Sequence, residues 1–326
     1  MTSSWTFHGG RLTEARAAFG DAHGQWLDLS TGINPTPWPG AAGLAIDWRR
    51  LPDESALRHL ERAAAASFGI DPAFVCAVPG TEIGLRLLGD VVEAPAAYVP
   101  PAYRTHEELV EPRIALEPRA LPWSHGSVIL ANPNNPDGRI LARELLLEQL
   151  ASAASDHWLV IDEAFADAVP QRSLADQVGE ERRLIIFRSF GKFFGLAGVR
   201  LGFVLAPSAI IARYRAKLGS WPLSTAALAI GTAAYRDAPW IEEMRQSLGR
   251  EAAALDKVLR RRGHEPIGAC PLFRLIDVPD ANRLFERLAR RAILTRPFDY
   301  RPGWLRIGLP GDEAALARLD AALADG

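Results

Sequence analysis

Three apolar runs, each ending in polar residues, most strongly constrain how this chain of 326 residues can fold. They span 127–133, 158–165 and 183–189 and have the composition of buried strands. Helical segments such as 141–155 alternate with them, and this alternation predicts a mostly parallel sheet covered on both faces. In open α/β sheets, ligands bind outside the carboxyl ends of the strands. The polar residues at those ends are therefore the candidate functional residues.

Composition and charge limit the classes of protein to which the chain can belong. Hydrophobic residues make up 48% and charged residues 23%, with a formal net charge of −2, so nothing favours a nucleic acid or an anionic membrane as partner. The sequence contains no apolar run near the roughly 20 residues of a membrane span and no signal-peptide pattern. Cys76 and Cys270 lie in apolar contexts that favour packed thiols over a disulfide, so we expect a cytoplasmic protein.

The three strand ends supply an asparagine, an aspartate and a lysine. Asn135 lies just after the first run and Asp162 lies in the second. Lys192 stands three residues after Ser189, the end of the third run, among glycines and aromatics. A single lysine is most often a solvated surface charge. A lysine on a tight turn at a strand end can instead form a Schiff base with an aldehyde cofactor. Together with an aspartate for the pyridine nitrogen and an amide for the ring hydroxyl, it forms the set that pyridoxal 5'-phosphate needs.

Candidate phosphate ligands flank this set. Ser189 offers a hydroxyl and Arg200 a guanidinium, both of which suit a phosphate. The segment 79–89 is typical of a turn that enters a helix, where backbone N–H groups can cradle a phosphate. Many helices begin in this way, so the pattern of 79–89 is weak evidence by itself.

The motifs NPNNPDG, DEAF and SFGKFFGLAGVRLGF resemble those of the fold-type I pyridoxal-phosphate enzymes, in the histidinol-phosphate aminotransferase branch. The similarity runs in order through nearly the whole chain. It implies an α/β fold, with a mostly parallel sheet in a large three-layer domain and a small α+β domain. It also implies a pyridoxal 5'-phosphate cofactor, no metal, and a homodimer. It assigns Gly80 and Thr81 to the cofactor phosphate loop and Tyr103 to the aromatic that stacks on the cofactor ring; a structural tyrosine is the alternative.

We expect three parts along the chain. Residues 1–45 are rich in glycine, proline and small polar residues, and form an N-terminal arm that packs on the small domain and the active site. Residues 46–220 form the large cofactor-binding domain. Residues 221–326 are first helical and then alternate helices with strands, as expected for the small domain.

The N-terminal arm narrows the resemblance to one branch. His-Gly-Gly at 8–10 and Ser-Thr-Gly-Ile-Asn-Pro at 30–35 resemble the threonine-phosphate decarboxylases of cobalamin biosynthesis. This implies decarboxylation of a small phosphorylated amino acid, L-threonine O-3-phosphate, to (R)-1-amino-2-propanol O-phosphate and CO₂. The resemblance offers His8, Asn34 and Arg296 to the substrate phosphate.

Arg306 lies in the otherwise apolar run 303–310, where an unpaired charge would be costly. It matches the arginine that binds the substrate α-carboxylate in this superfamily. A guanidinium suits that task because it grips a carboxylate through two parallel hydrogen bonds. A structural ion pair is the alternative for Arg306 and for Arg296.

Three positions depart from the family's pattern. Asp137 stands where many relatives have threonine, and Phe165 stands where many aminotransferases have a tyrosine that bonds the ring hydroxyl. Leu51 falls where relatives often send a tyrosine into the neighbouring subunit's phosphate site. Its presence weakens the expectation of a site shared between subunits.

Two other functions are compatible with these motifs. An aminotransferase of the histidinol-phosphate type is the first alternative, because it shares every cofactor residue. A catalytically silent binding protein on the same fold is the second, and the intact Lys192, Asp162 and Arg200 argue against it. Threonine phosphate and serine phosphate differ by one methyl group, worth only about 1–3 kcal/mol of discrimination, so the sequence does not separate these substrates.

Overall fold

A computed structural model describes residues 4–6, 8–20, 25–93, 95–110, 114–116, 126–152 and 156–324. Its helices are α1 (Leu12–Phe19), α2 (Glu54–Phe68), α3 (Thr81–Arg86), α4 (Leu88–Val91), α5 (Arg104–Glu108), α6 (Arg143–Ser152), α7 (Phe190–Phe193), α8 (Ser208–Leu218), α9 (Thr225–Arg236), α10 (Ala238–Arg261), α11 (Ala281–Ala289) and α12 (Glu313–Ala324). Its strands are β1 (Leu27–Asp28), β2 (Val75–Val78), β3 (Ala97–Tyr98), β4 (Val128–Ala131), β5 (Leu159–Asp162), β6 (Leu184–Ser189), β7 (Gly202–Leu205), β8 (Phe273–Asp277), β9 (Ile293–Leu294), β10 (Arg296–Pro297) and β11 (Trp304–Gly308). The last residues of the predicted helix 141–155, residues 153–155, lie outside the described part.

The chain forms two compact units. The large unit contains residues 37–135 and 140–244, and the small unit contains residues 1–36, 136–139 and 245–326. This grouping differs from the sequence-based boundaries at 45 and 220.

Aromatic packing explains why α9, which follows residue 220, belongs to the large unit. The ring of Tyr235 in α9 lies 5.4 Å from the ring of Phe68 in α2 and 5.5 Å from that of Phe203 in β7, measured between centroids. All three side chains are buried. Helix α9 therefore packs on the large sheet.

The large unit is built on a six-stranded sheet of order β2-β7-β6-β5-β4-β3. The strands β3, β4, β5 and β6 run parallel to one another, and β7 runs antiparallel to both β6 and β2. Every residue of β2, β4, β5, β6 and β7 is buried, which explains their continuous apolar sequences. The predicted mostly parallel sheet is confirmed.

The small unit contains an antiparallel sheet of order β10-β11-β8 and a parallel pair formed by β1 and β9. In that pair, Leu27 and Asp28 of the arm lie opposite Ile293 and Leu294. The segment 292–298 is thus divided between two pairings, because β9 pairs with the arm while β10 pairs with β11.

Both cysteines are buried free thiols, as predicted. In the described part of the chain, none of the helices has the length and apolar character needed to traverse a bilayer. Nor do the described residues gather three or more histidine, cysteine, aspartate or glutamate side chains into a metal site.

Candidate active site

The carboxyl ends of β4, β5 and β6 bring polar residues to one edge of the large sheet. Asp162 ends β5, Ser189 ends β6, and Lys192 follows in α7. Because these parallel strands are neighbours, their carboxyl ends meet at the same edge. The predicted cofactor residues all belong to the large unit: Gly80, Thr81, Tyr103, Asn135, Asp162, Ser189, Lys192 and Arg200.

Asp162 is buried, and each of its two carboxylate oxygens has a hydrogen-bond partner. Its Oδ1 accepts a hydrogen bond from the backbone N–H of Ala164 at 3.0 Å, and its Oδ2 lies 3.1 Å from Nε2 of His106, which is also buried. An ionised carboxylate only accepts hydrogen bonds, so we assign the proton of this contact to Nε2. The second ring nitrogen, Nδ1, has no hydrogen-bond partner among the described residues. The histidine therefore orients the carboxylate that the sequence assigned to the pyridine nitrogen.

His106 was missed by the sequence analysis. It lies three residues after Tyr103, a spacing that places both on one side of the turn beginning α5. Their rings meet edge to face, 5.7 Å apart at the centroids. A histidine one helical turn beyond the candidate stacking aromatic was the available signal.

Tyr103 is anchored to the helix that follows the candidate phosphate loop. Its hydroxyl donates to Oε2 of Glu82 at 3.1 Å, and the hydroxyl of Thr105 lies 3.0 Å from each oxygen of the same carboxylate. Burial and the negative charge of Glu82 raise the pKa of Tyr103 to about 12. The phenol therefore stays protonated at neutral pH and remains a donor to Glu82.

Two glycines allow the candidate phosphate ligands to approach one another. A Cβ atom on Gly80, whose φ is +84°, would lie 2.8 Å from Nη2 of Arg200. A Cβ atom on Gly202 would lie 2.8 Å from the backbone nitrogen of Thr81. Only glycine permits such close contacts without a shift of the neighbouring atoms. A backbone N–H and a guanidinium brought together in this way suit a phosphate group.

Lys192 is half-buried beside an aromatic ring. Its Nζ lies 5.8 Å from the ring centroid of Phe165, the residue that replaces the family's frequent tyrosine. The large unit thus assembles an amine, a buried carboxylate and phosphate donors. This donor set fits pyridoxal 5'-phosphate.

A buried ion-pair cluster supports the strand ends from within the large unit. Glu163, next to Asp162, accepts hydrogen bonds from Arg188 at 3.1 Å and from the hydroxyl of Ser173 at 2.5 Å. Arg188 also pairs with Asp167. Burial raises the pKa of Glu163, and the charge of Arg188 opposes that shift. The cluster links the ends of β5 and β6, and the sequence analysis did not identify it.

Two arginines lie side by side in the small unit. Arg296 of β10 and Arg306 of β11 are directly paired in the antiparallel register. Arg306 is 3% exposed, and its Nη2 donates to the backbone carbonyl of Ser30 at 2.7 Å. Burial and the charge of Arg296 lower the pKa of Arg306 to about 9. Adjacent cations of this kind favour an anion between or beside them.

The other two predicted substrate residues lie in the arm of the same unit. His8 is exposed, whereas Asn34 is buried and its Oδ1 accepts the backbone N–H of Thr36 at 2.9 Å. Asp137 is also in this unit, where its Oδ1 accepts the backbone N–H of Arg139 at 3.0 Å. The structure therefore groups His8, Asn34, Arg296 and Arg306 in one unit and the cofactor residues in the other.

Comparisons with known proteins identify the family of the chain. A family model described as aminotransferase class I and II matches residues 113–323. A threonine-phosphate decarboxylase of Sinorhizobium sp is 42% identical, over 97% of this chain and 97% of the relative. A threonine-phosphate decarboxylase of Pseudomonas aeruginosa is 39% identical, over 97% of this chain and 96% of the relative.

The solved structures establish the fold. Histidinol-phosphate aminotransferase from Sinorhizobium meliloti, in complex with pyridoxal-5'-phosphate, has a TM-score of 0.80 over 97% of this chain and 96% of its own. Its sequence identity is 21%. The fold class predicted from the motifs is confirmed.

Proposed function

Since the chain belongs to the threonine-phosphate decarboxylases within the class I and II aminotransferase family, we propose that it decarboxylates L-threonine O-3-phosphate. The products are (R)-1-amino-2-propanol O-phosphate and CO₂, and the reaction serves cobalamin biosynthesis. The observation that carries this conclusion is the identity of 42% and 39% to two threonine-phosphate decarboxylases over nearly full length.

The cofactor is pyridoxal 5'-phosphate, which when bound supplies an electron sink for the electron pair that CO₂ leaves behind. Asp162, oriented by His106, would hold the proton of the pyridine nitrogen. The backbone of Thr81, the hydroxyl of Ser189 and the guanidinium of Arg200 would bind the phosphate. These assignments rest on the strand-end positions and on the glycine contacts that bring Thr81 and Arg200 together.

The remaining residues of the large unit would face the ring and the reacting carbon. Tyr103 would stack on the ring, held by Glu82, and Asn135 would bond the ring hydroxyl. Lys192 would hold the cofactor before the substrate amine replaces it. Its Nζ would then deliver the proton that takes the place of CO₂ on the same carbon.

Each of the two arginines of the small unit would bind a different anionic group of the substrate. Arg306 would bind the α-carboxylate and so orient the bond that breaks. Arg296, with His8 and Asn34, would bind the substrate phosphate. The support is the direct pairing of Arg296 with Arg306, which offers two cations to a substrate that carries a carboxylate and a phosphate dianion.

The enzyme is proposed to act as a cytoplasmic homodimer. Two buried thiols that form no disulfide agree with a reducing compartment. Large apolar side chains are exposed in the large unit, with Trp48 at 77%, Leu51 at 67% and Trp221 at 59% of their surface. Exposed apolar patches often mark a protein interface. Sedimentation of the wild type and of Leu51→Glu would test whether these residues hold a dimer.

The test of the function is turnover of threonine phosphate with no 2-oxo acid present. Release of CO₂ supports the decarboxylase. Turnover that requires a 2-oxo acid acceptor, with faster use of histidinol phosphate, would support the aminotransferase alternative. A purified protein that binds no cofactor and turns over neither substrate would indicate a silent binding protein.

A further inference from the structure

Ser30, a buried residue of the N-terminal arm, is the centre of a partly buried hydrogen-bond cluster. Its hydroxyl donates to Oδ1 of Asp28 at 2.5 Å and accepts the backbone N–H of Gly10 at 2.7 Å. Its own backbone N–H donates to the same Oδ1 at 2.9 Å. Its carbonyl oxygen accepts from Nη2 of Arg306 at 2.7 Å. One residue thus joins the His-Gly-Gly turn to the buried arginine.

Gly9, the first glycine of the His-Gly-Gly turn, lies against the backbone carbonyl of Ser30. A Cβ atom on Gly9 would collide with the carbonyl oxygen of Ser30, the atom that accepts from Arg306. The backbone at Gly9 therefore needs glycine for close approach. This contact explains why a glycine follows His8, which the motif alone does not explain.

The arm also lies against the face of β11 that carries Arg306. The backbone N–H of Gly308 donates to the carbonyl of Leu29 at 2.7 Å. A Cβ atom on Gly308 would lie 2.5 Å from the carbonyl oxygen of Thr31. Residues 306 and 308 point to the same face of the strand, because side chains alternate with a period of two. The backbone of the arm next to Ser30 is therefore fixed on the face of β11 that carries the Arg306 side chain.

We propose that Ser30, fixed by Asp28 and by the Gly9–Gly10 turn, is a positioning residue that sets the direction of the Arg306 guanidinium for carboxylate binding. The proposal rests on the proposed function, in which Arg306 binds the substrate α-carboxylate. An arginine side chain has many rotamers, and a contact that selects one of them before binding improves affinity. The His-Gly-Gly turn would then serve carboxylate recognition as well as any contact of His8 with phosphate.

Three variants test three features of the cluster separately: the hydroxyl of Ser30, the close contact of Gly9 with the Ser30 carbonyl, and the charge of Asp28. Ser30→Ala removes the two hydrogen bonds of the hydroxyl but keeps the carbonyl. Gly9→Ala presses directly on the carbonyl oxygen. Asp28→Asn keeps an acceptor oxygen for Ser30 but removes the carboxylate charge, so it should weaken carboxylate binding less than Ser30→Ala does. Ser247→Ala is the matched control, because that serine lies in the same unit and its hydroxyl donates to Glu251 one turn along α10.

The readout compares a ligand that has a carboxylate with one that lacks it. The KM for threonine phosphate and the inhibition constant of O-phosphoethanolamine, which carries an amine and a phosphate only, are measured on each holoenzyme. We expect Ser30→Ala and Gly9→Ala to raise the KM for threonine phosphate roughly tenfold and to change the inhibition constant less than about twofold. Ser247→Ala should leave both constants within about twofold of the wild type, and Asp28→Asn should raise the KM for threonine phosphate less than Ser30→Ala does.

Equal weakening of both ligands, or no change in either, overturns the proposal, because a merely structural arm would not distinguish them. If Ser30→Ala fails to fold, Gly9→Ala decides the outcome by the same comparison. If the wild type does not turn over threonine phosphate, the proposed function fails. The two ligands are then compared by their calorimetric dissociation constants, and selective weakening of the carboxylate ligand would still support the positioning role.

Discussion

The carboxylate of Asp162 and the imidazole of His106 form a buried pair, with Oδ2 and Nε2 3.1 Å apart. A carboxylate in such a pair is fixed in direction, because the ring nitrogen holds one of its oxygens. The pair joins the end of β5 to the helix that begins after Tyr103. This relationship leads to the first two predictions.

Replacing Asp162 with asparagine should leave the cofactor bound through its phosphate contacts. It should strongly reduce electron withdrawal into the pyridine ring. We expect turnover to fall at least about 100-fold, or about 2.7 kcal/mol of barrier. Cofactor content measured on the purified variant separates loss of binding from loss of chemistry. Unchanged turnover would mean that another group protonates the pyridine nitrogen.

His106 should act through the hydrogen bond that Nε2 donates. His106→Gln can still place a donor near Asp162, whereas His106→Phe cannot. Because hydrogen bonds to charged groups contribute about 1.5–3 kcal/mol, the phenylalanine variant should lose roughly 10- to 100-fold in turnover, and the glutamine variant much less. Equal losses in the two variants would indicate that packing of the ring, and not its donor, matters.

Arg296 and Arg306 should be distinguishable by ligand. Arg296→Ala should weaken threonine phosphate by roughly 2–4 kcal/mol in transition-state terms, because a charge-assisted contact to phosphate is lost. Binding of L-threonine, which lacks the phosphate, should hardly change. Arg306→Ala should impair both ligands, since both carry an α-carboxylate. If Arg296→Ala weakens the binding of L-threonine and of threonine phosphate equally, Arg296 does not bind the substrate phosphate.

The two thiols should be inert in the folded protein. Burial raises the pKa of Cys76 and of Cys270 to about 12, from an ordinary value of 9.0. The native thiols then hold protons that the unfolded chain releases above pH 9, so the free energy of unfolding should fall as pH rises from 9 towards 12. A thiol reagent at pH 8 should label neither cysteine in the native enzyme and both in denaturant. Rapid labelling of the native enzyme would contradict this burial.

The strand-end positions of the candidate cofactor residues could be predicted because the relevant information is local. Asp162 and Lys192 each follow an apolar run, and neighbouring parallel strands bring such ends together. The contact of His106 with Asp162 could not be predicted in the same way. It joins the helix after β3 to β5, and β4 lies between these strands in the sheet.

Strand direction and register were likewise beyond the sequence pattern. The apolar run of β7 shows that a strand is buried but not that it runs antiparallel to β6. The neighbouring positions of Arg296 and Arg306 depend on the pairing of β10 with β11. The sequence indicated two arginines with separate tasks, and the register adds that their charges act on each other.

The central claim, decarboxylation by this chain, is tested most directly with threonine phosphate labelled in its carboxyl carbon. With the wild-type holoenzyme and no 2-oxo acid, we expect one labelled CO₂ and one unlabelled aminopropanol phosphate for each substrate consumed. Lys192→Ala should release almost none, because the amine proposed to hold the cofactor and to deliver the proton is gone. Consumption only in the presence of 2-oxoglutarate, with the label retained in an organic acid, would contradict the claim and identify an aminotransferase.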